Sequence, residues 1–239
     1  MDMQKLDMRL KEVSGGNVLD VASGVGQFIA ALMPALKDYD NFVGIDTHKK
    51  ALEAAKAKFE GKPVEFVNMD ASKMTFEDES FDTVAIQFSL HHLKELDKVL
   101  EGMLRVLKPG GYFLVSEMYV DGDQSKAQQS HIKVHHLSAE LDMAKGDFHD
   151  YTYTRSSIRE IMNGLQLSSL EEYDITYPME NPKDKDLITN MKAGFGKALE
   201  RYKDIPNFSE FQTKLDNFFS WIDEHGYAPA SSLFFIAQK

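Results

Sequence analysis

From Asn17 to Glu117, short continuous apolar runs alternate with stretches of helical spacing, the pattern of a doubly wound parallel sheet whose strands are buried on both faces. Five runs read as strands: VLDVA (Val18 to Ala22), FVGID (Phe42 to Asp46), VEFVN (Val64 to Asn68), TVAIQ (Thr83 to Gln87) and YFLVSE (Tyr112 to Glu117). Four helices are expected between them. Two are clearly punctuated, KKALEAAKAKF stopping at Gly61 and LDKVLEGMLRVL stopping at KPGG. Met1 to Val13 reads as an amphipathic helix covering the sheet edge or a ligand pocket. After Glu117 the rhythm changes. Asp121 to Gly146 reads as one polar helix carrying histidines, Thr154 to Leu165 as a sheet-packing helix and Leu167 to Ile175 as a strand. Asp184 to His225 reads as a helical stretch rich in Phe and Met, and Ser231 to Gln238 as a last strand. The expectation is one domain over 1–239, with its core at 17–117 and 154–239 and helical insertions near 121–150 and 180–226.

The sharpest local signal is VLDVASGVGQF, where a buried strand ends in Asp20 and passes through Ala22-Ser23-Gly24-Val25-Gly26 into a helix. Small residues let the backbone approach a ligand, and the helix start offers free N–H groups. The dinucleotide fingerprint needs a third glycine for close helix packing, and Ile29 stands in its place. A nicotinamide-dependent oxidoreductase is therefore the weaker of the nucleotide readings. Asp46 ends the second strand about twenty residues beyond the loop, the spacing at which a carboxylate reaches a ribose diol. Its plain alternative is a helix N-cap.

Composition narrows the partners. A formal net charge of −11 and the absence of any basic cluster disfavour a nucleic-acid substrate, which needs cations to displace counterions. With no cysteine there is no thiolate nucleophile, disulfide or Cys-based zinc site. The N-terminus lacks a signal-peptide core, and the apolar runs fall short of the roughly 20 residues that span a bilayer. A cytoplasmic protein acting on a small molecule is expected, without a membrane span and compatible with a dimer.

Asp70 follows in NMDAS, then FDTVAIQFSLHHL and LRVLKPGGYFLV, in that order after the glycine loop. Over 17–117 the chain thereby resembles the class I S-adenosylmethionine (SAM)-dependent methyltransferases of small-molecule type, similar to the ubiquinone/menaquinone-biosynthesis group. The resemblance implies a Rossmann-like α/β fold with a seven-stranded sheet, mostly parallel with the last strand antiparallel, and helical insertions covering the active site. It implies SAM as cofactor, with Asp20, Ala22, Ser23, Gly24 and Gly26 at its loop, Asp46 and Thr47 at its ribose, Met69, Asp70 and Ala71 at its adenine, and Gln87 and Phe88 beside them. Methyl transfer would run by direct in-line displacement. Ala22 departs from the family's first glycine, and Ala serves there if its φ is negative. A SAM-binding sensor or accessory module without turnover is the alternative function.

A hydroxyl or ammonium acceptor needs a base, and His92, just after the fourth strand and beside His91, is the catalytic candidate. Its plain reading is a residue at a helix start. The segment from His131 to Arg155 holds a second group. His131, His135 and Asp142 share a helical face, and with His149 they are candidate ligands of a divalent metal. His131, His135, Tyr151 and Arg155 are candidate acceptor contacts, Arg155 for a carboxylate. The bland alternative is a solvated helix with Thr154 capping the next one.

Overall fold

The computed structural model describes residues 2–239. Its strands are β1 Asn17–Val21, β2 Asn41–Asp46, β3 Val64–Asn68, β4 Phe81–Gln87, β5 Leu107–Met118, β6 Ser169–Ile175 and β7 Ser232–Gln238. The helices are α1 Asp2–Leu10, α2 Gln27–Ala35, α3 Lys49–Lys58, α4 Leu96–Val106, α5 Lys126–Lys145, α6 Arg155–Gly164, α7 Lys185–Leu199 and α8 Phe208–His225. The strands form one seven-stranded sheet in the order β3-β2-β1-β4-β5-β7-β6, parallel except for the last strand. This is the expected Rossmann-like architecture. Leu19, Phe42, Ile45, Ile86, Phe113 and Phe235 are essentially sealed from solvent, each contributing roughly 2 kcal/mol of burial.

The register sets the site. Asp20 of β1 lies level with Gly44 of β2 and Ala85 of β4, and Asp46 ends β2 opposite Asn68 of β3. Chain order reverses between β1 and β4, so the crevice beyond their C-terminal ends is where a ligand fits in such a sheet.

The chain forms two compact units. The first takes in residues up to Glu117, with Glu160–Ile175 and Leu233–Lys239. The second comprises Met118–Arg159 and Thr176–Ser232 and has its own apolar cluster, including Leu137, Leu141, Ile188, Leu215, Phe218 and Ile222.

Several sequence expectations need correction. Only three α-helices separate the first five strands. Between β3 and β4 there is a single 3-10 turn, Ala71–Lys73, because Asp70 caps it and TFEDES carries too little apolar residue to bury a longer helix. The polar helix starts at Lys126, not near Asp121: Ser125 and Gln128 bond each other's backbone N–H in a capping box. The stretch from Asp184 to His225 is two α-helices with a 3-10 turn, Glu200–Tyr202, between them; Pro206, which cannot donate to a helical ladder, and Asn207, whose φ is 59°, stand just before α8 begins. Helix α1 packs on the edge strand β6, with Arg9 bonding both oxygens of Glu171, so it covers the sheet edge. Among the described residues no helix is long and apolar enough to cross a membrane.

Candidate active site

The loop after β1 is pinned by its own backbone. Ser23 N–H donates to the Ile45 carbonyl (2.9 Å) and Gly26 N–H to the Ser23 carbonyl (2.8 Å). Gly24 N–H donates to Asp46 Oδ2 (2.8 Å), while Asp46 Oδ1 accepts from His48 N–H (2.7 Å). One carboxylate thus ties the loop to the end of β2, and each oxygen keeps a lone pair for a ligand. Gly24 has φ 53° and open space where a Cβ would stand, so a ligand can reach the backbone there. Gly26, at φ 73°, caps α2; a Cβ would meet Phe59 at 2.7 Å, so its glycine serves packing.

Ala22 is the surprise of the loop. Its φ is 57°, the left-handed region, so the sequence condition of a negative φ is not met. An L-residue pays roughly 1–2 kcal/mol there, and glycine does not, although glycine loses about 0.5–1 kcal/mol more entropy on folding. Ala22→Gly is expected to raise stability by a net ~0.5–1 kcal/mol, read as a higher urea midpoint at unchanged slope. A lower midpoint would contradict this account of the loop.

Two cavities open at this edge and share Ala22. One, of about 630 Å3, is lined by Asp46, Thr47, Met69, Asp70 and Ala71 on one side and by Ser89, His92, Leu93 and Glu95 on the other. The second, of about 260 Å3, is lined by Asp20, Ser23, Gly24, Gln87 and Phe88. Of the cofactor residues expected from the sequence, all but Gly26 line one cavity or the other.

The carboxylates differ in character. Asp20 is buried, and its Oδ2 has no hydrogen-bond partner. Burial pushes the Asp20 carboxyl up to about 7, with the Asp46 charge adding to it and the Ser23 hydroxyl opposing. Asp70 is held below the ordinary carboxylate range by the Ser72 backbone N–H, then by the Ser72 hydroxyl, so it is ionised at neutral pH. An orphaned buried carboxylate oxygen beside free backbone fits an ammonium, and the two outer carboxylates fit hydroxyl and amino donors. The residues present therefore suit the amino-acid, ribose and adenine parts of SAM.

Beyond β4, Phe88 takes a φ of 48° and donates its N–H to the Ser116 carbonyl. The following turn divides its two histidines. His91 is fully buried with Nδ1 3.2 Å from Glu117 Oε1, and Glu117 Oε2 accepts the Leu90 N–H (2.9 Å). His92 is exposed and faces the larger cavity. The sequence reading missed Glu117, although a carboxylate closing the apolar run YFLVSE was a signal. It also missed His48, whose Nδ1 caps α3 by accepting the Ala51 N–H, so Asp46 is not the cap of that helix.

The other candidates lie in the second unit. Asp142 Oδ2 bonds His149 Nδ1 (2.7 Å), and its Oδ1 accepts the Tyr202 hydroxyl. His131 Nδ1 accepts the Ala230 N–H (3.0 Å), and its ring packs on His135 with centroids 4.7 Å apart. The Tyr151 ring lies tilted against His136, with centroids 4.7 Å apart, and its hydroxyl donates to Glu140. Arg155 lies over the Tyr119 ring (5.1 Å), with its Nε 3.5 Å from Asp121 Oδ2. Thr154 accepts the Ser157 N–H (3.2 Å), the capping role read from the sequence.

The sequence pattern of the methyltransferase domain matches residues 19–115. A demethylmenaquinone methyltransferase of Clavibacter sepedonicus is 40% identical over 106 residues, 44% of this chain and 42% of that protein. The ubiquinone/menaquinone biosynthesis C-methyltransferase UbiE of Enterobacter sp. (strain 638) is 30% identical over 177 residues, 68% of this chain and 70% of that protein. The chain thus spans less than half of the first relative's length and more than two thirds of the second's. The solved structure of a Bacillus halodurans C-125 protein assigned as a methyltransferase superposes over 100% of this chain and 98% of its own, with a TM-score of 0.62 at 23% identity. The chain belongs to the class I SAM-dependent methyltransferases of the UbiE type.

Proposed function

We propose that this methyltransferase moves the methyl group of SAM onto a small aromatic acceptor of the quinol class, by direct in-line displacement. The observation that carries the reading is the set of carboxylates Asp20 in β1, Asp46 at the end of β2 and Asp70 just after β3, which line two cavities that share Ala22. When bound, SAM supplies an activated methyl on a sulfonium. The chain's part is to bind, align and exclude water. Asp20 takes the ammonium, the Gly24 loop approaches the carboxylate end, Asp46 accepts from the ribose diol and Asp70 accepts from the adenine amino group.

The acceptor class rests on kinship with relatives named as a demethylmenaquinone methyltransferase and as a ubiquinone/menaquinone biosynthesis C-methyltransferase. A quinol ring carries hydroxyls whose deprotonation raises electron density at oxygen and at ring carbon, so a base assists either outcome. His92 is the base in this reading, since it faces the cavity while His91 is held inside by Glu117. His92→Gln is expected to lower kcat about 100-fold with the SAM dissociation constant unchanged. Unaltered kcat with a quinol acceptor would remove His92 from the chemistry and leave the SAM site intact.

A further inference from the structure

We propose that His135 and His149 bind a divalent transition-metal ion, with Asp142 orienting His149. The proposal stands on the second unit alone and is independent of the acceptor reading.

Local sequence brings these groups together. Asp142 lies two helical turns after His135 on α5, so both project from one face. Gly146 ends the helix with φ 94°, and its left-handed turn sends the chain back, Asp147 N–H bonding to the Asp142 carbonyl (2.9 Å). His149 thereby returns to the Asp142 side chain, where it is 4% exposed and bonded through Nδ1 at 2.7 Å. Asp142 is itself fixed by the Tyr202 hydroxyl, whose own ionisation is pushed up to about 12 by burial and then by that carboxylate. A carboxylate on one ring nitrogen sets the tautomer: Nδ1–H donates to Asp142, and Nε2 keeps the lone pair that a metal takes.

A second imidazole is already within reach. Ring nitrogens of His135 and His149 lie within 4.8 Å of each other. Two ligands at about 2.0–2.1 Å from a tetrahedral zinc ion are about 3.3 Å apart, so modest ring rotation completes the pair. Imidazole donors select zinc, nickel or cobalt over magnesium or calcium, and a two-histidine grip leaves positions open to water or to an oxygen-bearing ligand. His131, grouped with these residues in the sequence, spends its Nδ1 on the Ala230 N–H and is not part of the pair.

The test uses the full chain without an affinity tag, stripped with a chelator, then titrated with Zn2+ by calorimetry and with Co2+ by visible absorption. One equivalent of each is expected. His135→Ala and His149→Ala should each weaken binding at least 100-fold, Asp142→Asn about 10–100-fold, and His48→Ala not at all. Absence of stoichiometric binding by the unaltered chain overturns the proposal, with no variant required. So does one-equivalent binding that survives His135→Ala, the substitution that decides the matter if His149→Ala unfolds.

Discussion

Asp20→Asn is expected to stabilise the SAM-free protein at pH 8 and to weaken SAM binding at the same time. In the folded chain the carboxyl is displaced upward, from an ordinary 3.8 to about 7, because burial penalises its charged form. A raised carboxyl disfavours folding wherever the unfolded chain would be ionised. The penalty is absent below about pH 4, grows as pH rises toward 7 and is fully present above it. Each pKa unit is worth about 1.4 kcal/mol, so the penalty is on the order of 4 kcal/mol, or on the order of 10 °C in Tm. An amide of the same shape escapes it. The same substitution removes the negative partner of the SAM ammonium, and a charge-assisted hydrogen bond of about 1.5–3 kcal/mol corresponds to a loss of about 10–100-fold in affinity. Between about pH 5.5 and 7.5, below the ordinary α-amino pKa of about 7.7–8.0, wild-type affinity should rise with pH while that of the variant stays flat. Thermal scans and calorimetry on both proteins check this. A variant that is less stable at pH 8, or that binds SAM as tightly as wild type, would show that Asp20 is a structural residue.

The second large effect is expected at Asp46. Asp46→Ala strips the acceptors from Gly24 N–H and His48 N–H and removes the ribose contact in one step. Two charge-assisted bonds to the diol amount to about 3–5 kcal/mol, so SAM affinity should fall about 100–5000-fold. Stability should fall by about 1–2 kcal/mol, because the orphaned amides must find water. Asp46→Asn keeps one oxygen, so it should be intermediate in binding. A dissociation constant within threefold of wild type for Asp46→Ala, despite lost stability, would reduce Asp46 to a loop anchor.

The sheet was legible because parallel strands covered on both faces leave continuous apolar runs, and VLDVA, FVGID and TVAIQ differ plainly from the helices around them. What escaped was set by short-range chemistry of a different kind. The capping box of Ser125 and Gln128 was written in the sequence as S-x-x-Q and fixes where α5 begins. The start of α8 is set by Pro206 and the left-handed Asn207, whose effect is lost in a run of phenylalanines at helical spacing. The missing helix before β4 reflects Asp70, which turns its side chain onto Ser72 and closes a 3-10 turn.

The site divides in the same way. Carboxylates at strand ends are readable, since strand periodicity and loop length fix where they stand. The sign of φ at Ala22 is not, because it depends on the path forced by Ser23 bonding to Ile45. Nor is the pairing of His91 with Glu117, which joins neighbouring strand ends far apart in sequence. His149 and Asp142 were grouped from spacing alone, and the turn at Gly146 supplied the contact that spacing could not specify.

The most direct test of the proposed function is a turnover measurement with methyl-labelled SAM and a short-chain demethylated quinol held under reducing conditions. The account predicts one labelled methyl on the quinol for each S-adenosylhomocysteine released, abolished or severely slowed in Asp46→Ala. Tight SAM binding in the calorimeter with no label on the quinol, or on any small acceptor supplied in its place, would contradict it and make the chain a SAM-binding module.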